Sequence, residues 1–429
     1  MIWLKRYLEQ RLPRGAPPRR LVVLTGARQV GKTSLARRLY KDRYRYFNLD
    51  SAGERLRLER VPAEAWGQVV GEAVFDEIQK APALFEKIKW AYDAREIDFS
   101  VLLGSSRILL LSKVRESLAG RVFLYELWPL TPGELAPFYG APFAEKPVLA
   151  GLLENLNKAP EFLKNLPVAV GEEVGRLHTT LEHILTFGGL PTLLEYPPEE
   201  RFAWLEAYQS TYLERDLADL ARLRDLEPFL LFHRLASLRA GRILSYSDLA
   251  RDAGVSPATA RRYLRYLELS YQILFLPSWT ENPTVRLVKS PKLIWIDPGL
   301  QRVLSGQIRG LTGEQYENAV TAQVVTTLSS LGFKSSAFYL RTAGGLEVDL
   351  LLETSEGFAA FEMKARANAY RRDATPIERS RRLLGDRLRL GLVVYRGEEI
   401  FPLSPLVWAV PDWFLLGWAD TTSEDSGNG

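Results

Sequence analysis

The chain has 429 residues, 46% hydrophobic, 11% aromatic and 25% charged, the balance of a folded multidomain protein rather than a disordered or fibrous one. Its 56 Lys and Arg against 52 Asp and Glu leave a net charge of +4, too small over this length to argue for a nucleic-acid partner, so any basic surface is local. With no Cys and only His178, His183 and His233, disulfides, thiolate zinc sites and thiol catalysis are excluded and a histidine-rich metal centre is disfavoured.

The first stretch, MIWLKRYLEQRLPRG, is charged and lacks the uninterrupted apolar core of a signal peptide, which points to a cytoplasmic protein. Residues 21–24 then form an apolar run followed by Gly26-Ala27-Arg28-Gln29-Val30-Gly31-Lys32-Thr33, which fits G-x-x-x-x-G-K-[ST]. A strand before this loop and a helix over 33–39 would turn the backbone N–H groups of residues 26–34, Ser34 included, toward the phosphates of ATP. Lys32 would contact the β and γ phosphates, and the Thr33 hydroxyl would ligate Mg²⁺. Short apolar runs at 44–49, 73–75, 99–103 and 122–127 alternate with helical stretches, which predicts an α/β fold with a parallel sheet over residues 1–140. The run at 73–75 ends in Asp76 and Glu77; the first suits the Mg²⁺ shell and the second a base that orients the attacking water. The run at 99–103 ends in Gly104-Ser105-Ser106, where Ser105 offers a hydroxyl to the γ phosphate.

Residues 141–227 are helical by periodicity, with breaks at Gly188-Gly189 and Pro197-Pro198, and read as a helical lid or linker. Residues 228–300 have the rhythm of a winged helix-turn-helix. Ser256-Pro257 starts a recognition helix over 257–269, with Arg261, Arg262 and Arg265 on its polar side toward DNA and Tyr263, Leu264 and Leu267 in its core. The same arginines also fit a solvated face on a packing module. Residues 301–418 read as a second α/β unit with Glu317 on a helix, Asp349 in a strand and Glu362-Met363-Lys364 in the next, the order of a PD-(D/E)xK nuclease. Glu362 and Lys364 are two apart and share a face. Asp349 and Glu362 would hold Mg²⁺ or Mn²⁺, with Glu317 as an outer carboxylate and Lys364 stabilising charge. The apolar stretch 401–418 is interrupted by Pro402, Pro405, Pro411 and Asp412, so it is expected to be a closing strand and turn, not a membrane span. Residues 419–429 read as a disordered acidic tail.

These motifs, GARQVGKT (26–33), DEIQKAP (76–82), GSS (104–106) and ESLAGR (116–121), continue with YLERD (212–216), KSPK (289–292) and DPGL (297–300). Together they resemble a family of prokaryotic AAA+ ATPases over nearly the whole chain, and the C-terminal region of that family resembles a PD-(D/E)xK nuclease. The resemblance implies a homo-oligomer, favouring a hexameric ring in which Arg121 reaches the neighbour's γ phosphate, with Arg215 as the competing candidate. The expected function is Mg-ATP hydrolysis coupled to translocation, remodelling or processing of branched or single-stranded DNA, with metal-dependent nuclease activity in the last domain. Two other readings stay open: an ATP-dependent switch or scaffold whose C-terminal domain binds without cutting, and a protein remodeller. No membrane partner is expected.

Overall fold

The computed structural model describes residues 3–104, 114, 116–166, 171–212 and 226–418. Ser105, Arg215 and the acidic tail lie outside the described residues, as does most of the YLERD stretch.

Strands β1 (Arg20–Thr25), β2 (Arg45–Asn48), β3 (Ala73–Asp76), β4 (Phe99–Gly104) and β5 (Val122–Glu126) form a parallel sheet in the order β2-β3-β4-β1-β5. Successive side chains of a strand point to opposite faces, and a parallel sheet is covered on both. In β1 this is literal: Val22 and Leu24 pack with Leu35 and Leu39 of the helix Lys32–Tyr40, while Leu21 and Val23 pack with Phe75, Leu84 and Ile88. The apolar runs of β1, β3 and β4 are therefore core on both sides, whereas the edge strands β2 and β5 are partly exposed, Phe123 and Leu124 among them. The loops after β1 and β3 leave from the same edge of the sheet, which sets the geometry of the site below.

Residues 227–295 fold as three helices, Glu227–Ser237, Tyr246–Asp252 and Pro257–Leu269, followed by the antiparallel pair β6 (Ile273–Leu276) and β7 (Lys292–Trp295) with a short helix, Pro283–Val288, between the strands. Ser256 caps the third helix, its hydroxyl accepting from the Thr259 N–H at 3.1 Å. Tyr263, Leu264 and Leu267 are buried on its inner face. They share one continuous core with Val22 and Leu24 of the parallel sheet and with Phe229 and Trp295, so this unit is packed onto the sheet domain.

The last unit is a six-stranded sheet in the order β12-β13-β11-β10-β9-β8, formed by β8 (Ser336–Arg341), β9 (Glu347–Thr354), β10 (Gly357–Lys364), β11 (Leu388–Tyr395), β12 (Phe401–Pro402) and β13 (Val407–Pro411). Pairs β8/β9 and β9/β10 are antiparallel, and β10/β11 and β11/β13 parallel. The helix Gly313–Leu331 covers one face and Thr375–Leu384 the other. The stretch expected to close the domain as strand and turn instead ends in a helix, Asp412–Gly417. Asp412, the polar residue that suggested a turn, is buried at the helix start, where it accepts from the Tyr316 hydroxyl at 2.9 Å and the Trp413 N–H at 2.8 Å. Burial pushes its carboxyl up to about 7.

The helical stretch 141–227 divides its packing between the two sheets. Leu149, Leu152, Leu163 and Leu181 join the core of the C-terminal sheet, while Leu205 and Tyr208 join that of the parallel sheet. The division falls at Gly188-Gly189. Gly188 adopts φ +83°, and a Cβ there would stand 2.0 Å from Asp297 Oδ1. Asp297 accepts from the Gly189 N–H at 2.9 Å and caps the helix Pro298–Ser305 through the Leu300 N–H at 3.0 Å, so the DPGL stretch is a clamp between units. Among the described residues no helix is long and apolar enough to cross a membrane.

Candidate active site

The loop from β1 to the helix Lys32–Tyr40 is set by its backbone. Gly26 has φ +152°, and a Cβ there would sit 2.2 Å from the carbonyl oxygen of Leu127. Gly31 (φ +97°) and Gln29 (φ +60°) are in the left-handed region. These torsions wrap the loop and start the helix at Lys32, which puts the first turn of the helix at the cavity wall. Lys32 Nζ donates to the carbonyl oxygens of Gly26 at 3.0 Å and Ala27 at 2.6 Å. Thr33 Oγ1 donates to Asp76 Oδ2 at 2.8 Å, and the Tyr46 hydroxyl donates to the same oxygen. The two residues read as the Mg²⁺ shell are thus in contact across 43 positions of sequence. Glu77 follows Asp76 with φ +56°, accepts from Gln79 Nε2 and lines the same cavity. A non-glycine residue in that conformation costs about 1–3 kcal/mol and persists where neighbours enforce it, often at functional sites.

The cavity measures about 590 Å³. Arg28, Gln29, Gly31, Lys32, Thr33 and Ser34 form one polar wall; Trp3, Leu4, Leu130, Phe138, Pro191 and Leu194 form an apolar part, and Asp50, Lys80 and Glu195 also line it. The N-terminal arm reaches this place through Arg6, which is buried, donates to the carbonyls of Val30 at 2.8 Å and Trp128 at 2.6 Å, and pairs with Glu134 at 3.2 Å. Arg121 makes a bidentate pair with Asp93 of the same chain, 2.6 and 2.8 Å.

A second polar cluster lies in the C-terminal unit. Met363 N–H donates to Asp349 Oδ2 at 2.9 Å, and Lys364 Nζ donates to Glu362 Oε1 at 2.6 Å. Glu317, in the second turn of its helix, joins them through Lys292 of β7, whose ammonium lies 2.7 Å from Glu317 Oε1, 3.0 Å from Glu347 Oε1 and 3.9 Å from Asp349 Oδ1. Burial raises the pKa values of Glu317, Asp349 and Glu362, and for Glu317 and Glu362 the charge of Asp349 adds to it. Burial works against the charge of Lys292, but Glu317, Asp349 and Glu347 hold its pKa above the ordinary lysine value. The expected trio Glu317, Asp349 and Glu362 is therefore brought together, with a protein ammonium among its carboxylates. Among the described residues no group of three or more His, Cys, Asp or Glu is arranged to hold a metal ion.

Arg261, Arg262 and Arg265 are exposed on the helix Pro257–Leu269. Arg261 lies over the Tyr246 ring, Arg262 over that of Tyr263, and Arg265 pairs with Glu268.

A family model described as an AAA domain matches residues 18–136, and two domains of unknown function match 178–309 and 312–414. Uncharacterized proteins of Mycobacterium tuberculosis and Mycobacterium bovis are each 31% identical over 427 residues, spanning 96% of this chain and 84% of theirs. The chain belongs to their family. Among solved structures it is distantly similar to a Walker-type ATPase of Pyrococcus abyssi (17% identity, 66% of this chain and 90% of that one, TM-score 0.43). The ADP form of the ORC2 protein of Aeropyrum pernix is similar at 14% identity over 71% and 92% of the two chains, TM-score 0.32.

In this member of the family the AAA match covers the whole parallel sheet, and the chain carries a P-loop ATPase domain of AAA type. Sequence reasoning missed Trp3, Leu4 and Arg6, which carry no spacing signal, and the Pro191–Glu195 turn, whose only sign was the Gly188-Gly189 break before it. It also missed Glu347 and the role of Lys292, although the KSPK stretch is one of the motifs that carry the family resemblance.

Proposed function

We propose that the protein hydrolyses Mg-ATP and couples it to work on DNA. The observation that carries the first part is the meeting of Lys32, Thr33 and Glu77 on one cavity wall beside the first turn of a helix, with the buried Asp76 hydrogen-bonded to Thr33 behind it. Lys32 and the loop N–H groups hold the β and γ phosphates, and the apolar wall of Trp3, Leu4, Pro191 and Leu194 takes the base. Thr33 and Asp76 fit a Mg²⁺ shell, since hydroxyl and carboxylate already converge; the ion would neutralise developing phosphate charge. Glu77 orients the attacking water and receives its proton.

The DNA part is supported by the exposed Arg261, Arg262 and Arg265 on a capped helix followed by a two-stranded hairpin, the arrangement of a winged helix-turn-helix. Copies would assemble through the ATPase domain, six in a ring by family resemblance, and Arg121 would have to leave Asp93 to reach a neighbour's phosphate. The test is ATP turnover with and without single-stranded, branched and duplex DNA. Stimulation by DNA is expected; turnover that responds to unfolded peptides and to no DNA would overturn the DNA part.

A second reading, a switch or scaffold whose C-terminal PD-(D/E)xK-like unit binds without cutting, is favoured by one observation. The carboxylates of that unit are already paired with Lys292 and Lys364.

A further inference from the structure

Lys292 opens β7 and belongs to the hairpin of the middle unit, where it pairs with Leu276. Its side chain is 3% exposed and points out of that hairpin into the carboxylates of the C-terminal sheet. The hairpin is fastened there on both sides of Lys292. The Tyr339 hydroxyl donates to the Ser290 carbonyl at 2.6 Å, and Asn318 exchanges two hydrogen bonds with the backbone of Trp295, 2.8 and 3.0 Å. Lysine has three N–H donors, and two of them meet Glu317 and Glu347. The cluster is not fully satisfied: Glu362 is 8% exposed, and its Oε2 is buried with no hydrogen-bond partner.

We infer that Lys292 is the resident cation of the C-terminal carboxylate cluster, lent by the neighbouring hairpin, and that it excludes a divalent metal ion as long as the hairpin is docked. A fixed ammonium and a divalent ion sharing oxygens of Glu317 and Asp349 would repel each other at the distance of a single coordination shell, in a region shielded from water. Removing the ammonium leaves Glu317, Glu347, Asp349 and Glu362 with Lys364 on Glu362 and, at 3.8 Å, Arg341 on Glu347, and Glu317 and Asp349 between them become the setting in which carboxylates recruit a hard cation. The C-terminal unit would then be controlled by where the middle unit sits, and the KSPK stretch is the part of the sequence that carries the control.

The inference rests on reading the cluster as a metal-type site. The test is Mn²⁺ binding to the full nucleotide-free chain, followed by electron paramagnetic resonance of unbound Mn²⁺, for wild type, Lys292→Met, Lys292→Arg and Lys292→Met with Glu362→Gln. Lys292→Met should bind Mn²⁺ at least tenfold more tightly than wild type, Lys292→Arg should stay closed, and adding Glu362→Gln should remove the gain. Equal binding by wild type and Lys292→Met overturns the inference alone. No binding by either overturns it together with the metal reading of the cluster. Should Lys292→Met fail to fold, wild type and Asp349→Asn decide: a thermal stabilisation by millimolar Mn²⁺ that Asp349→Asn abolishes overturns the inference, and no Mn²⁺ effect on either chain is the expected result.

Discussion

The nucleotide cavity and the C-terminal carboxylate cluster each hold a lysine, but they are built from different materials. Around Lys32 the architecture is backbone: carbonyls of Gly26 and Ala27, the positive φ of Gly26, Gln29 and Gly31, and a helix N-terminus, all from one stretch of chain. Around Lys292 it is side chains: Glu317 from a helix, Glu347 and Asp349 from β9, and the lysine itself from another unit. A backbone-built wall keeps its shape whatever it binds and presents N–H dipoles to an anion at no cost of reorganisation. A side-chain-built cluster exists only while its elements stay docked, so its charge state depends on tertiary arrangement. The first is suited to holding one ligand, the second to reporting a position.

The largest effect should follow from breaking the first site at Lys32, the cation held against the loop's own carbonyls. Lys32→Ala should lower ATP turnover by about 10³ and weaken nucleotide binding at least tenfold, since the phosphates lose the ammonium that the loop carbonyls hold in place. Stability should fall only modestly, because the loop torsions are set at Gly26, Gln29 and Gly31 and the loss is the side chain's hydrogen bonds to the carbonyls of Gly26 and Ala27. Turnover within a factor of two of wild type would mean that the cavity is not the nucleotide site. Glu77→Gln separates holding from chemistry within the same wall. It should leave ATP binding within about threefold and reduce turnover by about 10²–10⁴, the range of a lost general base, read by comparing equilibrium binding with single-turnover hydrolysis. Binding and turnover falling together would instead make Glu77 a structural residue.

The third prediction concerns a region that belongs to neither site. Replacing Arg261, Arg262 and Arg265 by Gln should weaken DNA binding by a similar factor on unrelated sequences and lower the slope of log affinity against log salt by about one for each phosphate no longer neutralised. ATP turnover without DNA should not change, because these side chains face away from the core shared with the parallel sheet. An unchanged salt slope would make the helix a packing element.

The same contrast explains what the sequence made legible. Lys32, Thr33 and the strand before them were readable because a backbone-built site is contiguous. Asp76 and Glu77 were readable because a parallel strand ends where its loop begins. Glu362 and Lys364 share a face through the period of two in β10, and the third helix was marked by its Ser256 cap. Lys292 and Glu347 were not readable as partners, since their meeting depends on how a hairpin docks on a separate sheet, which no local spacing encodes. The helical stretch 141–227 hides its division between two sheets for the same reason: periodicity identifies a helix's apolar face but not the sheet that face meets. Trp3 and Leu4 reach the cavity on an arm held by long-range contacts, Arg6 on Val30 and Trp128 and Tyr7 on Glu134 and Ala144.

The smallest expected effect probes the stored charge of the side-chain cluster. Burial, with Asp349 adding to it, pushes Glu317 up to about 7 and Glu362 up to about 8 from an ordinary value of 4.5. Between those limits the folded chain holds protons that the unfolded chain has released, so the folded state loses stability as pH rises through this window and keeps it fully below about pH 4.5. Glutamine at position 317 keeps an oxygen for the Lys292 ammonium but has no proton to lose. Glu317→Gln should therefore gain on wild type as pH rises from 5 to about 7 and level off above it, by up to about 1 kcal/mol per pH unit, since a tenfold difference in proton affinity between the folded and unfolded chains is worth about 1.36 kcal/mol. Urea denaturation with a chelator present, at pH 5, 6, 7 and 8, measures the difference directly. Parallel curves for the two chains would mean that Glu317 is ionised throughout and fully neutralised by Lys292; a difference that grows in the opposite direction would mean that the ionised carboxylate is what holds the hairpin to the sheet.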